Sequence, residues 1–197
     1  MIISSKTKGL IFLLIASIVW GSTFVPQKIA MEDWSPLQFT SLRFLIGGII
    51  LFSFINFSSE KVESFKEFSI FSLISGTILA LAALTQQIGI VTTTATNAGF
   101  YTSLYVLIVP IIGIFISKSI HWSIWPSIMI CFLGSILLSS SGENISLTNI
   151  SNGDLWIIFS AIFWAIHLHV VSYSVSKFPI FKFSIIHFIS FGSLLFR

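Results

Sequence analysis

Long apolar runs in series are the feature that most restricts what this chain can fold into. A helix needs roughly 20 mostly apolar residues to cross the hydrocarbon core of a bilayer. The sequence has six runs of this length, followed by a shorter seventh, and polar segments separate them. The runs cover residues 9–31, 36–57, 68–91, 96–117, 122–141, 153–174 and 181–196. We therefore predict an all-α fold, a polytopic bundle of transmembrane helices.

The composition excludes most soluble classes of protein. Only 9% of the residues are charged, 55% are hydrophobic, and the mean hydropathy is +0.99. Soluble domains have about 25% charged residues. The ten Lys and Arg residues are scattered between the apolar runs, so they do not form the basic patch that nucleic acid requires. Cys131 is the only cysteine, so no disulfide within the chain is expected.

The loop charges predict how the chain is oriented in the membrane. With the N-terminus in the cytoplasm, the inner segments contain the lysines and the outer segments contain acidic residues, as the positive-inside rule requires. We predict a multi-pass membrane protein with a cytoplasmic N-terminus. The inner lysines are Lys6, Lys8, Lys61, Lys66, Lys118, Lys177 and Lys182, and the outer acidic residues are Glu32, Asp33, Glu143 and Asp154.

The chain also matches itself at an offset of 144 residues, without a gap. Five predicted spans separate the two copies, and an odd number of spans makes the second copy enter the membrane from the opposite side. Such inverted repeats are typical of secondary transporters, whose substrate site lies between the halves. The matches are Gly9 with Gly153, Ile18 with Ile162, Trp20 with Trp164, Phe39 with Phe183, Arg43 with His187, Phe44 with Phe188 and Gly48 with Gly192.

The repeat divides the chain into two parts. We predict a five-helix inverted repeat at residues 9–141 and an incomplete second repeat, about two helices, at residues 153–197. A complete pair needs about 290 residues, twice the offset. We therefore expect a truncated second half.

Arg43 is the first candidate for substrate binding, because helical rise places it about 10 Å into the second span. A cation at this depth is costly unless it is paired or hydrated. Arg43 either binds an anionic or polar substrate or extends its side chain to the outer surface, towards Glu32 or Asp33. The same two interpretations apply to Lys28 at the end of the first span.

The third and fourth spans supply the other candidates, Gln86, Asn97, Tyr101 and Tyr105. Asn97 and the two tyrosines recur every four residues, so we place them on one helix face. A polar stripe inside a membrane faces other helices or a wet cavity. It serves either to bind a polar solute or to form hydrogen bonds between helices. Pro110, in the same span, predicts a kink.

Three histidines fall in the last two runs. His167 and His169 point to nearly opposite sides of a regular helix, so they cannot chelate one ion together. His187 could join one of them from the seventh segment, either as a proton relay or as ordinary polar packing. We expect no metal site and no cofactor.

The sequence contains no motif of an enzyme or of a nucleotide-driven pump. There is no phosphate-binding glycine loop, no zinc-protease helix and no nucleophile elbow. We therefore predict that the protein is not an enzyme, and that any transport depends on a gradient.

Several short motifs together resemble the EamA-type transporters of the drug/metabolite transporter (DMT) superfamily. The likeness covers essentially the whole chain. It comprises Trp20-Gly21-Ser22-Thr23-Phe24, Pro36, Leu42-Arg43-Phe44, Leu84-Thr85-Gln86-Gln87-Ile88-Gly89, Asn97-Ala98-Gly99-Phe100-Tyr101, Leu104-Tyr105-Val106-Leu107-Ile108-Val109-Pro110 and Gly134.

The resemblance implies a ten-helix carrier of small metabolites or drugs, made of two inverted five-helix repeats. It further implies that the third and fourth helices line the cavity, which makes Gln86, Asn97, Tyr101 and Tyr105 cavity candidates. Two features depart from the family pattern. A Gly-Glu pair that often closes the fourth helix is replaced by Ile116-Ser117-Lys118, and helices eight to ten have no counterpart.

Our leading hypothesis is a secondary transporter of this type, or a truncated copy of one, in a bacterial inner membrane. The alternative is a non-transporting remnant or a membrane-embedded interaction subunit. An intramembrane enzyme is a third interpretation, which lacks a catalytic constellation. The expected partners are the lipid bilayer, a small-molecule substrate, and either a second copy or a complementary chain. A self-paired carrier would need both orientations in the membrane, and the lysine distribution argues against that.

Overall fold

The computed structural model describes residues 4–54, 61–116, 119–140 and 150–195. Throughout these ranges the regular elements are helices, and no strand is present, which confirms the predicted all-α fold. The helices are α1 (Ser5–Ser22), α2 (Phe24–Ala30), α3 (Pro36–Phe52), α4 (Phe65–Thr92), α5 (Ala95–Ser103), α6 (Tyr105–Phe115), α7 (Ile124–Ser140), α8 (Asn152–Val175) and α9 (Ile180–Leu195).

These nine helices correspond to the seven apolar runs, because the first and fourth runs are each divided into two helices. Among the described residues, four segments are long and apolar enough to cross a membrane. These segments are Lys6–Ala30, Phe65–Thr92, Ala95–Phe115 and Asn152–Val175, and shorter apolar helices lie at Pro36–Phe52, Ile124–Gly134 and Ile180–Ser190. The prediction of a polytopic transmembrane bundle is confirmed. Lys118, Glu143 and Arg197 lie outside the described residues.

Local capping explains where two of the helices begin. Ser35 accepts a hydrogen bond from the Gln38 backbone, Gln38 reciprocates at the Ser35 backbone, and Pro36 occupies the first turn of α3. Ser151 and Asp154 form the same reciprocal arrangement at the start of α8. These caps satisfy backbone N–H groups that a helix start leaves without partners.

Two spans are interrupted near a proline. In the first span the break is at Thr23, where the backbone N–H of Thr23 bonds to Trp20 O over 3.0 Å. Pro26 has no N–H to donate to Ser22 O, which weakens the helix at this point. In the fourth span the break is at Leu104, whereas α6 continues through Pro110. The interruption therefore lies one to two turns before the kink that the sequence predicts.

Helix α4 is the centre of the bundle and packs most extensively against α8. The two helices cross at Gly89 and Gly153, where backbone approaches backbone. A Cβ added at Gly89 would lie 2.6 Å from Gly153 O, and a Cβ added at Gly153 would lie 2.6 Å from Gly89 O. Only glycine permits this approach at both positions.

Two of the pairs that match across the 144-residue offset are in ring contact in the structure. The Trp20 and Trp164 rings meet edge to face with centroids 5.0 Å apart, and those of Phe44 and Phe188 are 5.4 Å apart. Between α3 and α9 the contacts are also reciprocal. A Cβ at Gly48 would touch Ile189, and one at Gly192 would touch Leu45, the residue that matches Ile189.

Candidate functional site

A polar cluster lies inside the bilayer region between α2, α3 and α4. At its centre is Gln27, which is 3% exposed. The Arg43 guanidinium donates from Nη1 to Gln27 Oε1 over 2.7 Å, and Gln27 Nε2 donates to Thr23 Oγ1 over 2.8 Å. Gln87 Nε2 approaches the Gln27 backbone oxygen at 3.5 Å. The Arg43 side chain is therefore bonded within the bundle rather than to Glu32 or Asp33.

Two polar atoms of this cluster, and a third atom on α3, have hydrogen-bonding capacity left over. Within the described part of the chain, the buried atoms Arg43 Nε, Gln87 Oε1 and Thr40 Oγ1 have no hydrogen-bond partner. Thr40 and Gln87 are both 0% exposed. Leaving a buried polar group unpaired costs about 1–3 kcal/mol, so the cluster is suited to a ligand that supplies the missing partners.

The surroundings of Arg43 do not neutralise its charge. The guanidinium carbon lies 5.5 Å from the centre of the Phe39 ring and 5.0 Å from that of Phe44. Such cation–π contacts stabilise a cation without removing its charge. Arg43 thus offers an attractive position for an anionic group.

Lys28 has a structural role instead. Its Nζ donates to the carbonyl oxygens of Ile90 (3.0 Å) and Val91 (2.8 Å) at the end of α4. A lysine at a helix C-terminus satisfies free carbonyls and complements the helix dipole. Lys28 does not join the polar cluster.

The remaining candidates are dispersed along the third and fourth spans. Gln86 is buried and donates to Thr102 Oγ1 over 2.8 Å, which is the hydrogen bond between helices that we considered as an alternative to binding. Tyr101 is buried in an apolar cluster, while Tyr105 is half-buried and stacks on Trp20 at 6.1 Å. Asn97 is half-buried near the start of α5. The break at Leu104 separates the two tyrosines, and the role of these residues in binding stays a prediction.

A cavity of about 580 Å³ lies between α6, α7 and α8. Its volume falls in the range of small-molecule pockets. Of the five predicted site residues, Tyr105 alone lines this cavity. Its other polar lining includes Ser127, Cys131, His169 and Ser172, which the sequence did not identify as a group.

The structure also resolves the geometry of the histidines. His167 Nε2 lies 3.0 Å from His187 Nε2, whereas His169 Nε2 lies 2.9 Å from Val109 O on the other side of α8. The opposite directions of His167 and His169 agree with the helical spacing. Among the described residues, no group of three or more His, Cys, Asp or Glu side chains could hold a metal ion.

Sequence reasoning missed Gln27, the residue that joins the polar cluster together. The available signal was its spacing from Thr23, because residues four apart lie on one helix face. A polar pair at this spacing inside an apolar run indicates a face directed at other helices.

Comparisons with known proteins identify the group to which the chain belongs. Residues 7–140 match the EamA-like transporter family. An "Uncharacterized transporter" of Archaeoglobus fulgidus is 34% identical over 82% of this chain and 48% of its own length. The "Uncharacterized inner membrane transporter YedA" of Escherichia coli K12 is 28% identical over 75% of this chain and 48% of its own length. The "Uncharacterized transporter YoaV" of Bacillus subtilis is 25% identical over 81% of this chain and 55% of its own length.

No solved structure matches the chain significantly. The chain spans about half the length of these curated relatives. The family match covers more than half of the chain, and the helical membrane bundle agrees with it. The chain belongs to the EamA-like transporter family of the drug/metabolite transporter superfamily.

Proposed function

We propose that this chain forms the substrate-binding part of a secondary transporter for small metabolites or drugs that carry a carboxylate. The transporter lies in the inner membrane, with the N-terminus of the chain in the cytoplasm. The polar cluster of Gln27, Arg43 and Gln87 is the observation that carries this proposal, because two of its buried polar atoms, Arg43 Nε and Gln87 Oε1, have no hydrogen-bond partner among the described residues.

The chemistry of the cluster favours an anionic ligand. A guanidinium has five N–H donors in a fixed fork, which suits the two oxygens of a carboxylate. Arg43 uses one donor on Gln27 and leaves Nε unpaired within the described residues. Gln87 Oε1 can accept from an amino or hydroxyl group on the same ligand.

The arrangement of the helices also supports a carrier. The contacts of Trp20 with Trp164 and of Phe44 with Phe188 are those expected beside a pseudo-two-fold axis. They support residues 9–141 and 153–197 as inverted repeats.

Ligand-dependent thermal unfolding tests the proposal without requiring transport. The detergent-purified chain is screened against carboxylates, matched neutral amides and matched amines. The chain is screened alone and after assembly with the segment of the Archaeoglobus fulgidus relative that the sequence match does not cover. A specific ligand at 100 times its Kd stabilises by about 2.7 kcal/mol. We expect carboxylates to raise the melting temperature and their amides not to do so.

Three variants test whether the stabilisation by carboxylates depends on Arg43. Arg43→Gln should abolish the stabilisation by carboxylates, and Arg43→Lys should retain part of it. Lys177→Gln also removes one positive charge, but from an exposed position, and should change nothing. If no ligand binds in either form of the protein, or if Arg43→Gln binds carboxylates as well as the wild type, the proposal is wrong. The first of these outcomes favours the non-transporting alternative.

A further inference from the structure

Two histidines from neighbouring helices meet inside the membrane. His167 on α8 and His187 on α9 are 8% and 4% exposed. Their Nε2 atoms are 3.0 Å apart, and Ser75 Oγ of α4 lies 3.4 Å from His187 Nε2. Three helices therefore contribute one polar group each to a single buried point.

Apolar rings enclose this pair. Trp164 contacts the His167 ring edge-on at 5.9 Å, and Phe183 and Phe188 each lie 5.4 Å from the His187 ring. By helical rise His187 is about 10 Å beyond the start of α9. The pair is thus well inside the hydrocarbon region rather than at its edge.

The distance between the two nitrogens fixes how many protons the pair can hold. At 3.0 Å one Nε2 carries the hydrogen and the other accepts it. The neutral pair has two protons on its four ring nitrogens. One more proton gives a single positive charge shared through the Nε2–H···Nε2 bond. A second would set two N–H groups and two positive charges against each other.

Each of the other ionisable groups on the surrounding helices either lies at a distance along its helix or contacts another residue. Between residues 68 and 92, α4 contributes no ionisable side chain, and Glu67 and Lys66 lie about 12 and 13.5 Å from Ser75 along that helix. Lys182 lies about 7.5 Å before His187 on α9. The remaining groups, with their contacts, are Arg43 with Gln27, Tyr101 with Phe100, Tyr105 with Trp20, Asp154 with Thr93, His169 with Val109 and Tyr173 with Lys177.

We propose that His167 and His187 form an intramembrane proton site that couples substrate movement to a proton gradient. This inference rests on the proposed transport function. An imidazolium enclosed by apolar rings is costly unless water or an opposite charge reaches it. The pair is therefore neutral in the enclosed arrangement described here, and it takes up one proton from water when the helices open.

Two considerations favour a proton over other occupants. Histidine is the side chain whose charge changes near physiological pH, and histidine chains inside membranes mark proton pathways in pumps and transporters. A metal ion would need further ligands, and among the described residues no third His, Cys, Asp or Glu joins the pair.

Proton counting in nanodiscs tests the site without any substrate. ¹⁵N-histidine NMR and potentiometric titration are compared for the wild type, His167→Asn/His187→Asn and His169→Gln between about pH 8 and pH 5. We expect the double variant to lose one proton of uptake relative to the wild type. The two ring signals should titrate together. His169→Gln should leave this shared titration unchanged, because His169 contacts Val109 instead.

If the double variant takes up as many protons as the wild type, the pair is only polar packing. If it takes up two fewer, the histidines titrate independently. Either result overturns the proposal. Coupling is tested by linkage, because a proton that favours one state must change ligand affinity by the same factor. With a carboxylate identified as above, its Kd should depend on pH in the wild type and not in His187→Asn. Equal dependence in both refutes coupling, whereas absence of any ligand refutes the proposed function and leaves the proton count to decide the site.

Discussion

The crossing of α4 and α8 permits a sharp prediction for Gly89→Ala. The new Cβ would lie 2.6 Å from Gly153 O and 2.7 Å from Ile157 side-chain carbons. Ordinary van der Waals contact begins at 3.4 Å, so α8 would have to move away by about 0.8 Å, the difference between 3.4 and 2.6 Å. The obstacle is a backbone oxygen, which cannot rotate aside. Overpacking of this kind costs about 1–3 kcal/mol.

The intrinsic preference of helices for alanine opposes this cost by about 1 kcal/mol. Gly134→Ala in α7 is the matched control, because a Cβ there meets nothing within 4 Å. The control should be neutral or more stable than the wild type. The free energies of unfolding of the two variants should therefore differ by about 1–3 kcal/mol.

Thermal unfolding of the detergent-purified variants measures this difference. About 2–4 °C is expected for each kcal/mol in a chain of this size, with Gly89→Ala melting lower. If Gly89→Ala melts at or above Gly134→Ala, the close crossing of α4 and α8 is refuted.

Three further predictions follow from the caps and the loop charges. Ser151→Ala removes one half of the reciprocal cap with Asp154 and should cost about 1 kcal/mol, measured by thermal unfolding; an unchanged melting temperature would contradict the cap. Lys28→Met should accelerate amide hydrogen exchange in the last turn of α4, because it frees two carbonyls; unchanged exchange would remove its capping role. In a cysteine-free background, a membrane-impermeant maleimide added to whole cells should label Glu32→Cys and not Ser4→Cys; the reverse pattern would invert the orientation.

The sequence predicts the spans well because long apolar runs leave few alternatives. The run at 68–91 corresponds to α4 (Phe65–Thr92), and the run at 153–174 corresponds to α8 (Asn152–Val175). Each is longer in the structure than its apolar run, because α4 also includes Phe65, Lys66 and Glu67 and α8 begins at Asn152, directly after their serine caps. Hydropathy therefore finds the helix, and the caps fix its ends.

The interruptions of the helices are less visible in sequence. A proline removes one backbone donor, but the structure distributes the distortion over neighbouring turns. Thr23 lies three residues before Pro26, and Leu104 lies six residues before Pro110. Proline indicates that a span is irregular without fixing the residue at which it breaks.

The partners of polar side chains were the least predictable feature. Arg43 and Lys28 both lie towards one end of the bundle, and the sequence offers the same two interpretations for each. Their partners, Gln27 Oε1 for one and the α4 carbonyls for the other, depend on how α2 packs against α3 and α4. Such packing involves contacts between segments that are distant in sequence, and the residue pattern of a single helix does not predict those contacts.

Flux of the ligand found in the binding screen tests the central claim most directly. The chain, assembled with the complementary part of the Archaeoglobus fulgidus relative, is reconstituted into liposomes, and entry of the labelled carboxylate is followed. We expect saturable flux that Arg43→Gln abolishes and Lys177→Gln preserves. Flux that is absent in the wild-type assembly, or equal in Arg43→Gln, would contradict a carrier whose substrate binds at the Arg43 cluster.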